Sequence, residues 1–385
     1  MKSSDIVKVN ITNINPTLAQ GSQLNPTAAV IFMHQLASGE TGTTDLSWLT
    51  AGQLDPGSAG YIGDDTIARI INTYRINGGL NLVFKRIYMP ENSQESDLHV
   101  ALINAIKGGA GSTGLPTEIV NIQLAWDSSI TPSVNALATE LVDLSAPEET
   151  KILFVTGQSL PANMSQLENV FYHYNPASSG VYINNYESAA AMAYLSKINY
   201  GADQIKDYEY TDWLGSPENV NVVSEKPVTT QGDVNIFTSL VGRTLIIGGV
   251  MTNGVRLITY YFEIILTQKI TERLTMLTLD KLKFQDSSYA SIYNTITLEL
   301  DIFAQNGLLD QTFVVQEDRV IFRDDERYIL VEKDEQLIHG YKVNVLPPTQ
   351  SDLTTRNYTG TFIHLAIGQQ IRTLNVAGLV LGGVK

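Results

Sequence analysis

Five histidines, His34, His99, His173, His339 and His364, are the side chains best suited to proton transfer or metal binding near neutral pH. No two stand at the spacing of a motif such as H-E-x-x-H. His34 sits beside an apolar run and His364 alternates with Ile363 and Leu365, so both read as structural. Cysteine is absent, which removes disulfides, thiolate catalysis and cysteine metal sites together. The stretch Gly108-Gly109-Ala110-Gly111-Ser112-Thr113-Gly114 has the composition of a phosphate cradle. No Lys-Ser/Thr pair follows it, and it ends a helical pattern where a cradle would open one, so it reads as a loop. Gly157-Gln158-Ser159 follows a strand pattern like a nucleophile elbow, but Pro161 stands where the second glycine belongs. The segment Glu317-Asp318 through Arg323-Asp324-Asp325-Glu326-Arg327 mixes signs and lacks the oxygen spacing and central glycine of a calcium loop. It reads as a solvated turn with local ion pairs. The sequons at Asn10, Asn163 and Asn357 carry no weight without a signal peptide. These residue types predict no catalytic site, no cofactor and no metal, and therefore a protein that is not an enzyme.

The totals point the same way. A chain of 385 residues, 43 % hydrophobic, can bury a sizeable core and is not disordered. Its net charge of -15 and lack of a Lys/Arg cluster argue against nucleic acid as a partner, because phosphate binding needs a basic stripe. Acidity instead favours solubility, or repulsion between copies that must not associate early. Met1-Lys2-Ser3-Ser4-Asp5 opens no apolar segment of signal-peptide length, and no run of roughly 18 apolar residues occurs. The expectation is folding in a cytoplasm without membrane insertion.

The elements that would position any site alternate between strand and helix. Val7, Val9 and Ile11 alternate with Lys8, Asn10 and Thr12, the period of a strand with one buried face. After a polar loop at 13–27, 28–36 is a compact apolar run of buried-strand character. A helix at 64–76, with Asp64 or Asp65 as its cap and Asn77-Gly78-Gly79 as its stop, leads to a strand at 80–88. There follow a helix at 97–107, a strand at 118–126, a helix near 133–142 and a strand at 151–156. A short helix near Gln166, a strand at 169–174 and a helix at 187–198 complete this part. The rhythm predicts a mixed α/β fold with helices layered on a sheet.

A polar connection at 216–233 is the best internal boundary. Beyond it, 234–240 and 245–250 read as strands. A long helix over 255–282 sets Ile258, Tyr261, Phe262, Ile265, Ile270, Leu274 and Leu277 along one side, with Arg256, Glu263, Lys269, Glu272 and Arg273 mostly opposite. A second, at 288–305, has Ser287 or Ser288 as cap and Asn306-Gly307 as its end. Short strands run through 310–332, another spans 341–346, and 361–367 and 371–381 form a hairpin-like pair around Gly368-Gln369-Gln370. The predicted organisation is an arm and linker (1–27), an α/β region (28–232, with a subdomain inserted at about 127–215), a two-helix domain (233–360) and a C-terminal strand arm (361–385). Terminal apolar strands expose unpaired backbone groups. Those at 6–11 and 371–380 either pair at home or are handed to neighbours.

Several local patterns together resemble the contractile bacteriophage tail sheath proteins, in particular their short sheath-like family. They are the opening Ile6-Val7-Lys8-Val9-Asn10-Ile11, the helix Ala189-Ala190-Ala191-Met192-Ala193-Tyr194 followed by Asn199-Tyr200-Gly201, and Gly248-Gly249-Val250-Met251-Thr252-Asn253-Gly254 before a long helix. Gln305-Asn306-Gly307-Leu308 and the stretch from Thr355-Arg356-Asn357 through Ile363-His364 to Val376-Ala377-Gly378 continue the likeness. The resemblance implies a structural subunit that polymerises helically around a tail tube and contracts from a metastable extended state, driving the tube through a host envelope. It implies strands donated between subunits, here through Ile6, Val7, Val9 and Ile11 and through Ile371, Leu374, Val376, Leu379 and Val380. The implied partners are other copies of the chain, the tail tube protein, and baseplate and terminator proteins, in a virion tail assembled in a bacterial cytoplasm. Tube contact is expected on the long helices, through Arg256, Lys269, Arg273, Lys281 and Lys283. The plainer reading of those charges is the wet side of a helix. Two other readings are a different self-assembling tail or baseplate component and an acidic cytoplasmic α/β enzyme.

Overall fold

The computed structural model describes residues 28–50, 54, 64–127, 133–142, 150–158, 163–176, 186–198, 208–214, 220–227, 231–279, 282–367, 370–376 and 379–380. The strand expected at 6–11, the linker at 13–27 and Lys281 lie outside these residues. The first half supplies strands β1 (Ala28–Gln35), β2 (Leu49–Thr50), β3 (Leu82–Met89), β4 (Asn121–Asp127), β5 (Ile152–Gly157) and β6 (Val170–Tyr174). Its helices are α1 (Asp64–Ile76), α2 (Glu95–Lys107), α3 (Val134–Glu140) and α4 (Ser188–Lys197). The strands form one sheet in the order β2-β3-β1-β4-β5-β6. All pairs are parallel except β2 with β3.

The apolar run of β1 puts it at the centre, because a strand with both faces covered must be apolar on both. Ala28, Val30 and Phe32 meet α1 and α4, whereas Ala29, Ile31 and Met33 meet α2 and α3. The chain moves one way along the sheet from β1 to β3 and the other way from β3 through β6. Crossovers of one hand then place α1 on one face and α2 and α3 on the other, a doubly wound arrangement. In α4, which carries Ala189, Ala190, Ala191 and Ala193, every position from Ser188 to Ala193 is buried.

Lys85 is fully buried in β3 and explains the glycine-rich stretch. Its Nζ donates to Ser112 Oγ at 2.6 Å, Thr113 O at 2.8 Å and Leu46 O at 3.3 Å.

The outer sides of β3 and β6 are bonded by other segments of the chain. Along β3, β2 pairs with Val83 and Phe84, Asp45 N donates to Arg86 O at 3.0 Å, and Tyr88 N donates to Thr44 Oγ1 at 3.0 Å. Along β6, Asn235 N donates to Tyr172 O at 2.9 Å, Tyr174 N donates to Asn235 O at 2.8 Å, and Thr252 N donates to Val170 O at 2.9 Å. The fully buried Asn235 side chain adds bonds to Tyr172 O, Val250 O and Val250 N.

The second half contains β7 (Ile236–Leu240), β8 (Arg243–Ile247), α5 (Leu257–Leu279), α6 (Asp286–Gln305), β9 (Arg319–Arg323) and β10 (Glu326–Val331). It ends with β11 (Tyr341–Val345), α7 (Gln350–Thr355), β12 (Asn357–Tyr358), β13 (Thr361–Ile367), β14 (Gln370–Val376) and β15 (Leu379–Val380). The mixed-sign acidic segment is the β9–β10 hairpin, turning at Asp324 and Asp325 with φ of 49° and 64°. Before α5, Gly249 adopts φ +63°, and a Cβ there would stand 2.7 Å from Glu209 N, so only glycine fits.

Two helix expectations are corrected. In α5, Tyr260, Ile264 and Leu266 are buried as well as Ile258, Tyr261 and Phe262. The single apolar side read from the sequence therefore holds only for the later turns, where Lys269, Glu272, Arg273 and Met276 are exposed. The cause is a continuous core that runs from α1 and α4 through α5 to α6 and β13. That core crosses the boundary expected at 216–233. In α6 the helix starts at Asp286 after an extended Gln285, so neither Ser287 nor Ser288 is the cap. Ser288 Oγ instead accepts from Lys283 N at 3.2 Å.

Replacing Asn235 by alanine leaves polar groups at the β6 edge without partners. We expect Asn235→Ala to lower stability by about 1–3 kcal/mol, read as a shift in the urea midpoint at unchanged slope.

Candidate functional site

The groups suited to chemistry do not converge. His34 Nε2 lies 3.2 Å from Glu40 Oε2, and His99 Nε2 lies 2.9 Å from Glu140 Oε2, on different elements. His339 stacks near Tyr341, with ring centroids 5.9 Å apart. His173 is fully buried beside Phe237 with no hydrogen-bond partner on either ring nitrogen, and burial lowers its pKa to about 3. Burial also lowers His364 to about 4, with Arg319 and Lys342 adding to the effect. Among the described residues no three His, Asp or Glu side chains gather as a metal set.

A buried carboxyl that the sequence reading missed is Glu187, at the start of α4. Asn175 Nδ2 donates to it at 3.2 and 3.3 Å, and Asn221 N at 3.1 Å. Burial raises its pKa to about 8, against the pull of these bonds. The group ties the 220–227 connection to the end of β6. Its only sequence signal is an acid standing directly before an apolar helix.

The site with functional character is the terminal sheet, ordered β11-β13-β14 and antiparallel throughout. The alternation in Thr361–Ile367 builds it. Ile363, Leu365 and Ile367 join the core under α6, while Phe362 and Ala366 join a small core with Val315, Leu330, Val331 and Leu337 beside the β9–β10 hairpin. β11 is fixed on both faces. Tyr341 Oη donates to Asp301 Oδ1 at 2.6 Å, and Asn344 Nδ2 donates to Leu330 O at 3.1 Å. Lys342 Nζ meets both Glu335 carboxylate oxygens at 2.8 Å.

A buried ion pair holds this sheet to the hairpin. Arg323 Nη2 lies 2.6 Å from Asp352 Oδ2, with side chains 8 % and 3 % exposed. Asp352 also closes a capping box with Thr349 and accepts from Thr359 Oγ1 at 2.8 Å. Arg323 Nη1 donates to Pro347 O at 2.8 Å. One carboxylate thus joins β9, α7 and the strand β12 that follows. Neither α7 nor β12 was expected from the sequence.

β14 pairs with β13 within the same chain, in a register that runs from Thr361↔Val376 to Ile367↔Gln370. This is the hairpin expected for these segments. Ile371, Leu374 and Val376 stand opposite Ala366, Ile363 and Thr361, and Leu379 and Val380 stand opposite Tyr358 and Asn357. Among the described residues, no backbone group bonds to the outer side of β11. The candidate donors Ile6, Val7, Val9 and Ile11 lie outside the described residues.

The described tube-facing candidates do not form one patch. Arg256 Nη1 is 2.5 Å from Glu209 Oε2 and also donates to Gly248 O. Lys269 pairs with Glu272 at 3.3 Å and Arg273 with Glu299 at 2.7 Å, one turn apart on α5. Lys283 is exposed beyond the helix end.

Breaking the buried pair strands a charge. We expect Asp352→Ala to cost about 3–5 kcal/mol, with much of the loss recovered when Arg323→Met is combined with Asp352→Leu, both read by urea unfolding. The pH dependence follows from Glu187. Its folded pKa exceeds the ordinary 4.5, so between pH 4.5 and about 8 the unfolded chain has released a proton that the folded chain keeps. Stability therefore falls as pH rises through that window. His173 and His364 act oppositely, removing stability as pH falls below 6.5. The melting temperature should decline from pH 6.5 to 8, and Glu187→Gln should flatten that decline.

No protein-family model matches this sequence, and no curated protein sequence matches it either. Solved structures do. The sheath tail protein from Desulfitobacterium hafniense is 11 % identical, with a TM-score of 0.52 over 93 % of this chain and 98 % of that one. The helical sheath of the anti-feeding prophage in its contracted state is 14 % identical, with a TM-score of 0.48 over 80 % of this chain and 90 % of that one. The fold of this chain is thus similar to that of a sheath tail protein over 93 % of its length.

Proposed function

We propose that this chain is the structural subunit of a contractile tail sheath, a helical polymer of identical copies around a tail tube, without an active site. The observation that carries the reading is the contrast between its sheets. The outer sides of β3 and β6 in the large sheet are bonded by other segments of the chain, while among the described residues no backbone group bonds to the outer side of β11. The sheath tail fold of the Desulfitobacterium hafniense protein supports it.

In this reading the strand around Ile6, Val7, Val9 and Ile11 adds to β11 of a neighbour, and the segment from Ile371 to Val380 takes on a second copy the place that β14 and β15 hold at home. A donated strand of this size makes several ladder bonds worth roughly 1 kcal/mol each. Burial of three or four apolar side chains adds roughly 1.5–3 kcal/mol apiece at most. Such a contact is head-to-tail, so it propagates into a helix instead of closing a dimer. Contraction is then release from one metastable packing to a lower one while the strands remain paired, and needs no nucleotide. The tube, baseplate and terminator proteins are the outside partners. An acidic tube would draw on Arg256, Lys269, Arg273, Lys281 and Lys283, competing with the ion pairs that hold Arg256, Lys269 and Arg273.

Electron microscopy of the purified full chain should show tubes or stacked rings. Removal of residues 1–12 should leave folded single copies with an unchanged unfolding midpoint. A discrete globular oligomer from the full chain, or ordinary tubes from the truncated one, would sink the reading. Charge reversal at Lys281 and Lys283 should weaken assembly templated by the tube and leave assembly without it intact.

A further inference from the structure

We infer that β14 and β15 cap the subunit on itself, and that this closed state must open before a copy can enter a polymer. The inference rests on the reading of 371–380 as a donated segment, and adds a regulation to it. The occupant it concerns is a second copy of this chain.

The home pairing is extensive. β14 matches β13 at every residue from Gln370 to Val376, and β15 matches β12 at Leu379 and Val380. β15 also lies against α5. A strand tethered to its own acceptor through residues 368 and 369 competes at a very high effective concentration with any strand from another copy. The residues opposite it are the same in both cases, so exchange gains little from strand pairing itself. Home pairing also avoids the loss of free motion that association imposes. A free copy is therefore closed, and entering a polymer requires breaking the pairs at 370–376 and 379–380 together. That is a kinetic barrier against polymerisation away from a template. It accords with the acidity of a chain whose copies repel at a distance.

The outer edge of β11 is not subject to this cap. The two acceptor positions of the terminal sheet thus differ. Among the described residues no backbone group bonds to the first, and the second becomes available only by exchange. Addition at β11 can precede exchange at β13, which orders the two steps of assembly.

The chain has no cysteine, so one introduced pair is the sole thiol set. Ala366 and Ile371 are direct antiparallel partners, a separation of about 4.5–5.5 Å between Cα atoms that a disulfide spans. The full-length variant Ala366→Cys/Ile371→Cys, oxidised as free copies with glutathione disulfide, should carry an internal link and form no filaments. Dithiothreitol should restore filaments, and oxidising those should link neighbouring copies into a ladder on non-reducing gels. His364→Cys/Thr373→Cys places the lock elsewhere in the same register and guards against a folding defect of the first pair. Internally linked copies that form filaments at the wild-type rate would overturn the inference while leaving the sheath reading standing. A ladder that never forms, with only internal links inside filaments, would overturn it too. Wild-type protein that forms no filament under any condition would instead fail the sheath reading and take this inference with it. On free wild-type copies, amide hydrogen exchange at 370–376 should show protection, and its absence would be decisive against the cap.

Discussion

A β-strand at the edge of a sheet carries N–H and C=O groups that need partners, and this chain meets that demand in two ways. Around the large sheet other segments of the chain cover the outer sides of β3 and β6. Thr44, Asp45 and β2 run along β3, and Asn235 and Thr252 run along β6. At the terminal sheet no backbone group among the described residues bonds to the outer side of β11, and the other side of β13 is filled by β14 of the same chain. The first sheet forms the body; in the proposed reading the second is the coupling between copies.

The polar groups buried in the body act as fasteners. Lys85 holds the glycine-rich loop by hydrogen bonds to the Ser112 hydroxyl and the Thr113 carbonyl and ties it to Leu46 O, although burial lowers its pKa. Asn235 completes a sheet edge with a side-chain amide in the manner of a strand. Asp352 serves at once as helix cap, ion-pair partner and acceptor for Thr359. A buried polar group without partners costs more than a hydrogen bond returns, so each such residue fixes one arrangement of the loops around it. Among the described residues His173, with both ring nitrogens, and Asn121, with both amide atoms, are buried without such partners.

The body and the coupling are joined through α5. Its first turns are buried on most sides in the core shared with α1 and α4, and its later turns pair with α6 over the terminal sheet. A force applied at the terminal sheet passes into packed helices and from there to the large sheet.

Alternation and period were enough to read the central strands and most helices. The run Ala28–Gln35 and the spacing of Ile67, Ile70, Ile71 and Tyr74 carry their burial pattern in the sequence itself. The pairing of Thr361–Ile367 with the segment after it was equally legible, because two apolar runs flank a short glycine-containing turn. What the sequence left undecided depended on contacts between distant residues. Local periodicity could not show α5 buried on more than one side, since its partners come from α1, α4 and α6. Nor could it find α7 and β12, which are too short to show a period and are fixed by Arg323 from another strand. Strand order, and with it the decision on which edges are closed, belongs to tertiary structure alone. Hydrogen bonds across a sheet join residues that no local spacing relates.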